Sequence, residues 1–234
     1  MTHTTHTTGI LLLVGIGLLG LSWTASAQSF VGVAHSLDDN RILYEERHEL
    51  TTNDAGQPLT ETVRYVTPDG DLLAIKQMTY SELARPAYEI EHKTLDRTES
   101  VQPGPDGVQV RSKKTGSVEW PDQAAVIDGG FHYYILEHFD TLLAGETVSF
   151  QFLAPSRLTW TPLQIEPEAQ DGRRLNLTLR LQNTLLNWIL DPIHLVYDRE
   201  SRRLLEYRGL TNLPRPDDGN YRARIIYSYD QEPS

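Results

Sequence analysis

The sequence predicts a mainly β protein with one central helix, an α+β chain in which a curved antiparallel meander or half-barrel wraps on a mid-chain helix. Three observations carry this. Short runs of alternating apolar and polar residues recur from Phe30 to Trp120 and again from Thr147 to Tyr229. Turn chemistry separates them: Asn53-Asp54-Ala55-Gly56, Pro68-Asp69-Gly70, Pro103-Gly104-Pro105-Asp106-Gly107, Asp171-Gly172 and Asp218-Gly219-Asn220. Between the two blocks, Gln123 to Leu143 places Phe131, Tyr134, Ile135, Phe139, Leu142 and Leu143 close to helical spacing.

In chain order the first element is a leader. Gly9 to Leu21 is an unbroken apolar run of 13 residues, short of the roughly 20 that span a membrane and suited to a signal-peptide core. Ala25-Ser26-Ala27 supplies the small-x-small pattern for cleavage after Ala27, and the first 27 residues hold no Asp, Glu, Lys or Arg. A leader without Lys or Arg also fits an uncleaved anchor. The reading is a signal peptide over 1–27 and a single β-rich periplasmic or secreted domain over 28–234, with no stable transmembrane segment after cleavage.

The strands follow. Ile42 opens a run ending near Leu50. Thr62 to Tyr80 is a hairpin around Pro68-Asp69-Gly70, with Val63 and Tyr65 on one parity. Ala87 to Leu95 and Val108 to Arg111 continue the block, with charged residues crowding the outward parity of a sheet whose other face is covered. For the helix, Asp128 reads as N-cap, Gly129-Gly130 loosens its start, and Gly145 reads as the C′ stop. Six further strands follow: Thr147 to Leu153, Leu158 to Glu166, Arg174 to Leu181, Ile193 to Asp198, Leu204 to Leu210 and Tyr221 to Tyr229. Leu177, Leu179 and Leu181 mark the core face of theirs. About ten to twelve strands result.

Composition removes several functions. The chain has 234 residues, a formal net charge of -11 and no cysteine. Disulfides, thiolate zinc sites and cysteine nucleophiles are excluded, and so acidic a chain is not a nucleic-acid binder, because Lys and Arg supply that affinity. His35, His48, His92, His132, His138 and His194 are scattered over separate elements, and His132 and His138 stand about 600° apart on the helix. Tyr134 stands where an inverted zinc-protease motif would need a histidine. No G-x-S-x-G elbow and no phosphate-binding glycine loop is present. No metal, no cofactor and no catalytic residue is therefore expected. Paired carboxylates remain available among 32 acids, but only a cleft would give such a pair meaning.

The residues left with binding chemistry are apolar or amphipathic. Leu185 to Ile193, with Trp188 and Ile189, is the most apolar stretch after the leader and falls at a connection. It reads either as a bend plugging the sheet or as an apolar lip offered to a lipid or partner. Trp160, behind Arg157-Leu158-Thr159, is a second candidate that core packing would also explain. With the helix residues Phe131, Tyr134 and Ile135, these make the candidate ligand-binding set: Phe131, Tyr134, Ile135, Arg157, Trp160, Trp188 and Ile189.

Several segments resemble a family of uncharacterised exported proteobacterial proteins: Asp128-Gly129-Gly130-Phe131, Leu142 to Glu146, Phe150 to Arg157, Val196-Tyr197-Asp198 with Arg203-Leu204-Leu205, and Tyr207 to Leu213. The resemblance spans roughly Ala125 to Tyr227. It lends no catalytic residues and directs attention to Arg157 and Gly209. The layout is also similar to that of periplasmic lipoprotein-carrier half-barrels, which implies a concave apolar face able to hold acyl chains. Three functions follow. The first is a non-enzymatic exported protein binding a lipid or other hydrophobic ligand between sheet and helix. The second is an interaction or envelope-assembly factor docking an envelope protein through a sheet edge or the Trp188 segment. The third is a carboxylate-based hydrolase.

Overall fold

The computed structural model describes residues 26–168, 172–182, 191–215 and 219–229. Residues 1–25 of the segment read as a leader over 1–27, and the connection carrying Trp188 and Ile189, lie outside the described residues. Eight strands come first: β1 (Ser26–Ser36), β2 (Ile42–Thr52), β3 (Pro58–Val66), β4 (Leu72–Thr79), β5 (Ala87–His92), β6 (Arg97–Gly104), β7 (Gly107–Arg111) and β8 (Thr115–Glu119). A two-residue β9 (Ala125–Val126), the helices α1 (Gly130–Glu137) and α2 (Phe139–Leu143), and β10 (Val148–Ala154) lead into the second block. That block is β11 (Thr159–Pro167), β12 (Arg174–Leu181), β13 (Ile193–Asp198), β14 (Leu204–Pro214) and β15 (Asn220–Tyr229).

All fifteen strands form one curved sheet, ordered from β8 down to β1 and then from β15 down to β9. Each half is a meander of hairpins, and the halves join where the first and last strands pair, from Phe30–Tyr229 to Ser36–Ala223. The Thr62–Tyr80 hairpin forms as the alternation predicts, with β3 antiparallel to β4. The turn before it is set by Asn53, whose Oδ1 accepts the N–H groups of Ala55 and Gln57 at 3.0 and 2.9 Å.

Fifteen strands exceed the sequence expectation because β6 and β8 carry few apolar residues, as in Thr-Gly-Ser-Val-Glu, and are held by pairing with β5 and β7. The parity expectation holds for Glu89 and Glu91, which are exposed on β5. It fails for Glu46, Glu61, Lys76 and His92, which point inward and are buried.

The helix starts one residue later than an Asp128 N-cap predicts, and it is split in two. Ala125 and Val126 pair in parallel with Gln151 and Phe152 on β10. Asp128 takes a left-handed φ of 41°, which ends any helix running through it. Asp128 is not the N-cap; Gly129 is, without a side-chain bond. Gly130 is required by close approach, since a Cβ there would lie 2.3 Å from the Ala84 carbonyl oxygen. His138, with φ -100° and ψ 15°, separates α1 from α2, and Gly145 follows α2 with φ +88°, as a C′ residue does.

Two cores result. One centres on Tyr44, Val63, Ala74, Val101 and Val108 of the β1–β8 half and takes in Leu153, Leu213 and Ile225 from the other. The other clamps Ile135, Phe139 and Leu142 of the helices onto Phe150, Ile165, Leu175, Leu177 and Leu195. The β8 edge is covered by side chains: Trp160 Nε1 donates to the Glu119 carbonyl at 2.7 Å, and the Trp120 and Trp160 rings lie 5.8 Å apart. Among the described residues no helix is long and apolar enough to cross a membrane.

Candidate ligand cavity

Between the two halves the concave face encloses a cavity of about 1730 Å³. Its walls differ in chemistry. Strands β2 to β6 set Glu46, His48, Glu61, Lys76, His92 and Glu99 among apolar residues such as Val63, Met78 and Ile90. Strands β10 to β14 contribute Phe152, Leu163, Leu179, Leu181, Ile193 and Leu204. From the helix, Phe131, His132, Tyr133 and Leu136 project between them.

Strand register assembles the polar wall. One cross-strand row runs Tyr229, Phe30, His48, Val63, Lys76, Ile90. Two residues along, the next runs Tyr227, Gly32, Glu46, Tyr65, Ala74, His92, and so shares its face. His48 Nδ1 donates to Glu61 Oε1 at 2.7 Å, and Tyr80 donates its hydroxyl to Glu61 Oε2 at 2.7 Å. Tyr227 donates to Glu46 Oε2 at 3.0 Å. That same oxygen lies 3.5 Å from His48 Nε2, an ion-pair contact rather than a hydrogen bond. The His48 ring is stacked on Phe30, centroids 4.1 Å apart. On the helix side, Asp128 Oδ1 accepts from Lys76 Nζ at 2.7 Å, and His132 shares a 3.0 Å bond with the Tyr197 hydroxyl.

These contacts set the charges. Burial disfavours the His48 imidazolium, but Glu46 and Glu61 outweigh burial and raise its pKa to about 9. Burial likewise opposes ionised Glu61, and the His48 and Tyr80 bonds hold it below the usual range. His132 lacks such partners, and burial lowers it to about 4. Near neutrality His48 is thus charged and His132 neutral within one cavity.

The pH dependence follows with its sign. His48, raised above its unfolded value, stabilises fully below about pH 6.5, and that contribution is lost as pH rises through about 9. On the order of 3 kcal/mol should disappear between about pH 6.5 and 9.5. The buried tyrosines lose their stabilising effect only above about pH 10. Urea midpoints measured across that window should fall in the wild type and stay nearly level in His48→Gln. His132 acts oppositely: its neutral form is favoured, so its contribution is present above about pH 6.5 and lost as pH falls toward 4.

Of the residues singled out in the sequence, Phe131, Arg157 and Trp160 line the cavity. Tyr134 and Ile135 do not. Ile135 is wholly buried in the helix–sheet core, and Tyr134 donates to the Ser149 carbonyl at 2.9 Å, so both fix α1 to β10. Trp188 and Ile189 are outside the described residues. The Glu46–His48–Glu61 group has no counterpart in the sequence-derived set. Among the described residues no three His, Asp or Glu are placed to hold a metal ion.

No protein-family model matches the chain, and no curated protein matches it in sequence. Among solved structures it is similar to a beta-barrel-like protein of the domain of unknown function DUF1849 from Brucella abortus. That pair shares 6% identity with a TM-score of 0.48 over 88% of this chain and 98% of the other. It is also similar to a DUF1329 family protein from Desulfovibrio piger, at 11% identity and a TM-score of 0.27, over 91% of this chain and 88% of that one. Both names leave function open.

Proposed function

We propose that this is an exported, non-enzymatic protein that binds a lipid-like amphiphile between its curved sheet and its helix. The observation that carries the reading is the two-walled cavity. Its volume of about 1730 Å³ exceeds the roughly 300–1,000 Å³ of pockets for drug-sized molecules. The wall on β10 to β14 is mainly apolar, while the wall on β2 to β6 sets buried ionisable groups among Val63, Met78 and Ile90, an arrangement that matches a long apolar chain bearing a polar group. A hydrolase would need a carboxyl kept protonated by its surroundings, yet Glu61 is held below its usual range and Glu99 near 2, each stabilised as the anion by its neighbours. A docking factor working through a packed core would not need so large an interior space.

The leader read over 1–27 supports a location in the cell envelope, where such ligands are abundant. Native mass spectrometry of the protein purified from its own envelope without detergent tests the binding. A reproducible adduct of lipid mass is expected, lost or strongly reduced in Leu136→Asp, which puts a charge on the half-buried helix position facing the cavity. A mass equal to the bare chain in the wild type would overturn the reading and shift the weight to a docking role.

A further inference from the structure

Among the described residues, the charge of the cavity lining is opposite in bias to the charge of the chain. The sequence has 21 Lys and Arg against 32 Asp and Glu. Among the described residues, seven bases line the cavity against four acids. The four acids are already engaged: Glu46 and Glu61 by Tyr227, Tyr80 and His48, Asp128 by Lys76, and Glu99 by Arg97 and Ser112. Several bases are not. Lys113 and Arg157 are exposed at the cavity lining and have no carboxylate within ion-pair distance among the described residues. Arg97 bonds Glu99 through Nη2, but its Nε is buried without a hydrogen-bond partner.

Topology brings these three together. In an antiparallel meander alternate turns fall at the same end of the sheet. Arg97 opens β6 after the β5–β6 turn, Lys113 lies in the β7–β8 turn, and Arg157 lies in the β10–β11 turn. All three turns are at one end. The last two also touch, since Leu158 packs against Gly116, where a Cβ would lie 2.8 Å from Leu158 Cδ1. The apolar wall starts just inside, with Phe152 and Leu163 on the strands that flank the Arg157 turn.

We infer that the ligand is an anionic amphiphile, a long apolar chain ending in a carboxylate or phosphate, and that Arg97, Lys113 and Arg157 hold its head at the cavity mouth. The inference rests on the binding role proposed above. Arg presents a planar fork that suits either acid, and Lys adds a point charge. Their desolvation on binding is offset only by a negative partner, so a neutral head in the same place would leave the site worse paired than water does. The chain then runs inward along Phe152, Leu163, Leu179 and Leu181, with the engaged polar wall opposite.

The test uses the purified protein and cis-parinaric acid, a fluorescent long-chain carboxylate, beside its methyl ester. The acid should bind at least about tenfold more tightly than the ester, with affinity falling as salt rises. Lys113→Glu with Arg157→Glu, both at exposed turn positions, should remove that preference while ester binding and the far-UV circular dichroism stay as in the wild type. Displacement by oleate and by lysophosphatidate then separates a carboxylate head from a phosphate head. Equal binding of acid and ester, or a preference that survives in the double variant, would overturn the anionic head and leave the cavity role standing. If neither probe binds and neither competitor leaves an adduct, the cavity role itself falls and this inference with it.

Discussion

Gly32→Val should destabilise the protein by about 2–6 kcal/mol, although valine is the better strand residue. Gly32 sits in register between Tyr227 on β15 and Glu46 on β2. Two strand spacings, roughly 9.6 Å, separate those flanking positions. Tyr227 bridges them by laying its ring across Gly32, so that its hydroxyl reaches Glu46 Oε2 at 3.0 Å. A Cβ at position 32 would stand 2.7 Å from Tyr227 Cε1 and 2.9 Å from Ile225 Cγ2. The ring must then move, which costs about 1–3 kcal/mol as overpacking. Glu46, 7% exposed, loses its donor for a further penalty of about 1–3 kcal/mol. Urea unfolding measures the sum. The cause is isolated by repeating Gly32→Val in a Tyr227→Ala background, where the valine should cost less than about 1 kcal/mol. An equal cost in both backgrounds would show that the ring is not what the glycine makes room for.

That contact also shows where sequence reading stops. The Thr62–Tyr80 hairpin was legible because alternation and Pro-Asp-Gly chemistry are local. The β1–β15 junction was not, because nothing in either strand names a partner at the far end of the chain. The helix was legible because the spacing of Phe131 to Leu143 is truly helical, while the parallel pairing of Ala125-Val126 and the left-handed backbone of Asp128 answer to contacts with β10 and β4. The candidate site divides similarly. Phe131, Arg157 and Trp160 were visible as apolar or cationic residues at a helix start and a turn. Glu46 and His48 were hidden because Glu45-Glu46-Arg47-His48-Glu49 puts charge on both parities of β2, leaving no inside or outside signal. The one available clue was that Tyr44 and Leu50 share the parity of Glu46 and His48. An inward charge is inexpensive only when the concave face encloses a cavity and a bonded partner, and both depend on the curled sheet.

Asp128→Asn should cost about 3–5 kcal/mol, or on the order of 10 °C in Tm for a domain of this size. Asparagine tolerates the left-handed backbone at this position and can still accept the Gly129 N–H that Asp128 takes at 2.8 Å. What it removes is the charge facing Lys76. Lys76 is 4% exposed, and burial disfavours its ammonium; Asp128 outweighs that and holds the pKa above its ordinary range. Its remaining favourable neighbours are the Tyr88 ring, 5.7 Å away, and the Glu46 carboxylate; neither bonds the ammonium as Asp128 does. Lys76→Met in the Asp128→Asn background removes the orphaned charge and should recover most of the loss, giving a large coupling in the double-mutant cycle. Recovery would mean that the ion pair serves placement more than stability: it ties β4 to the start of α1, and Asn212 on β14 adds a 3.2 Å bond to the same carboxylate. Those ties set where Phe131, His132 and Tyr133 stand in the cavity, so the recovered double variant should be stable yet bind the fluorescent acid more weakly than the wild type. A loss below about 1 kcal/mol in Asp128→Asn alone would mean that Lys76 can leave the interior, and that the helix is held by its apolar face on β10 to β13 without the ion pair.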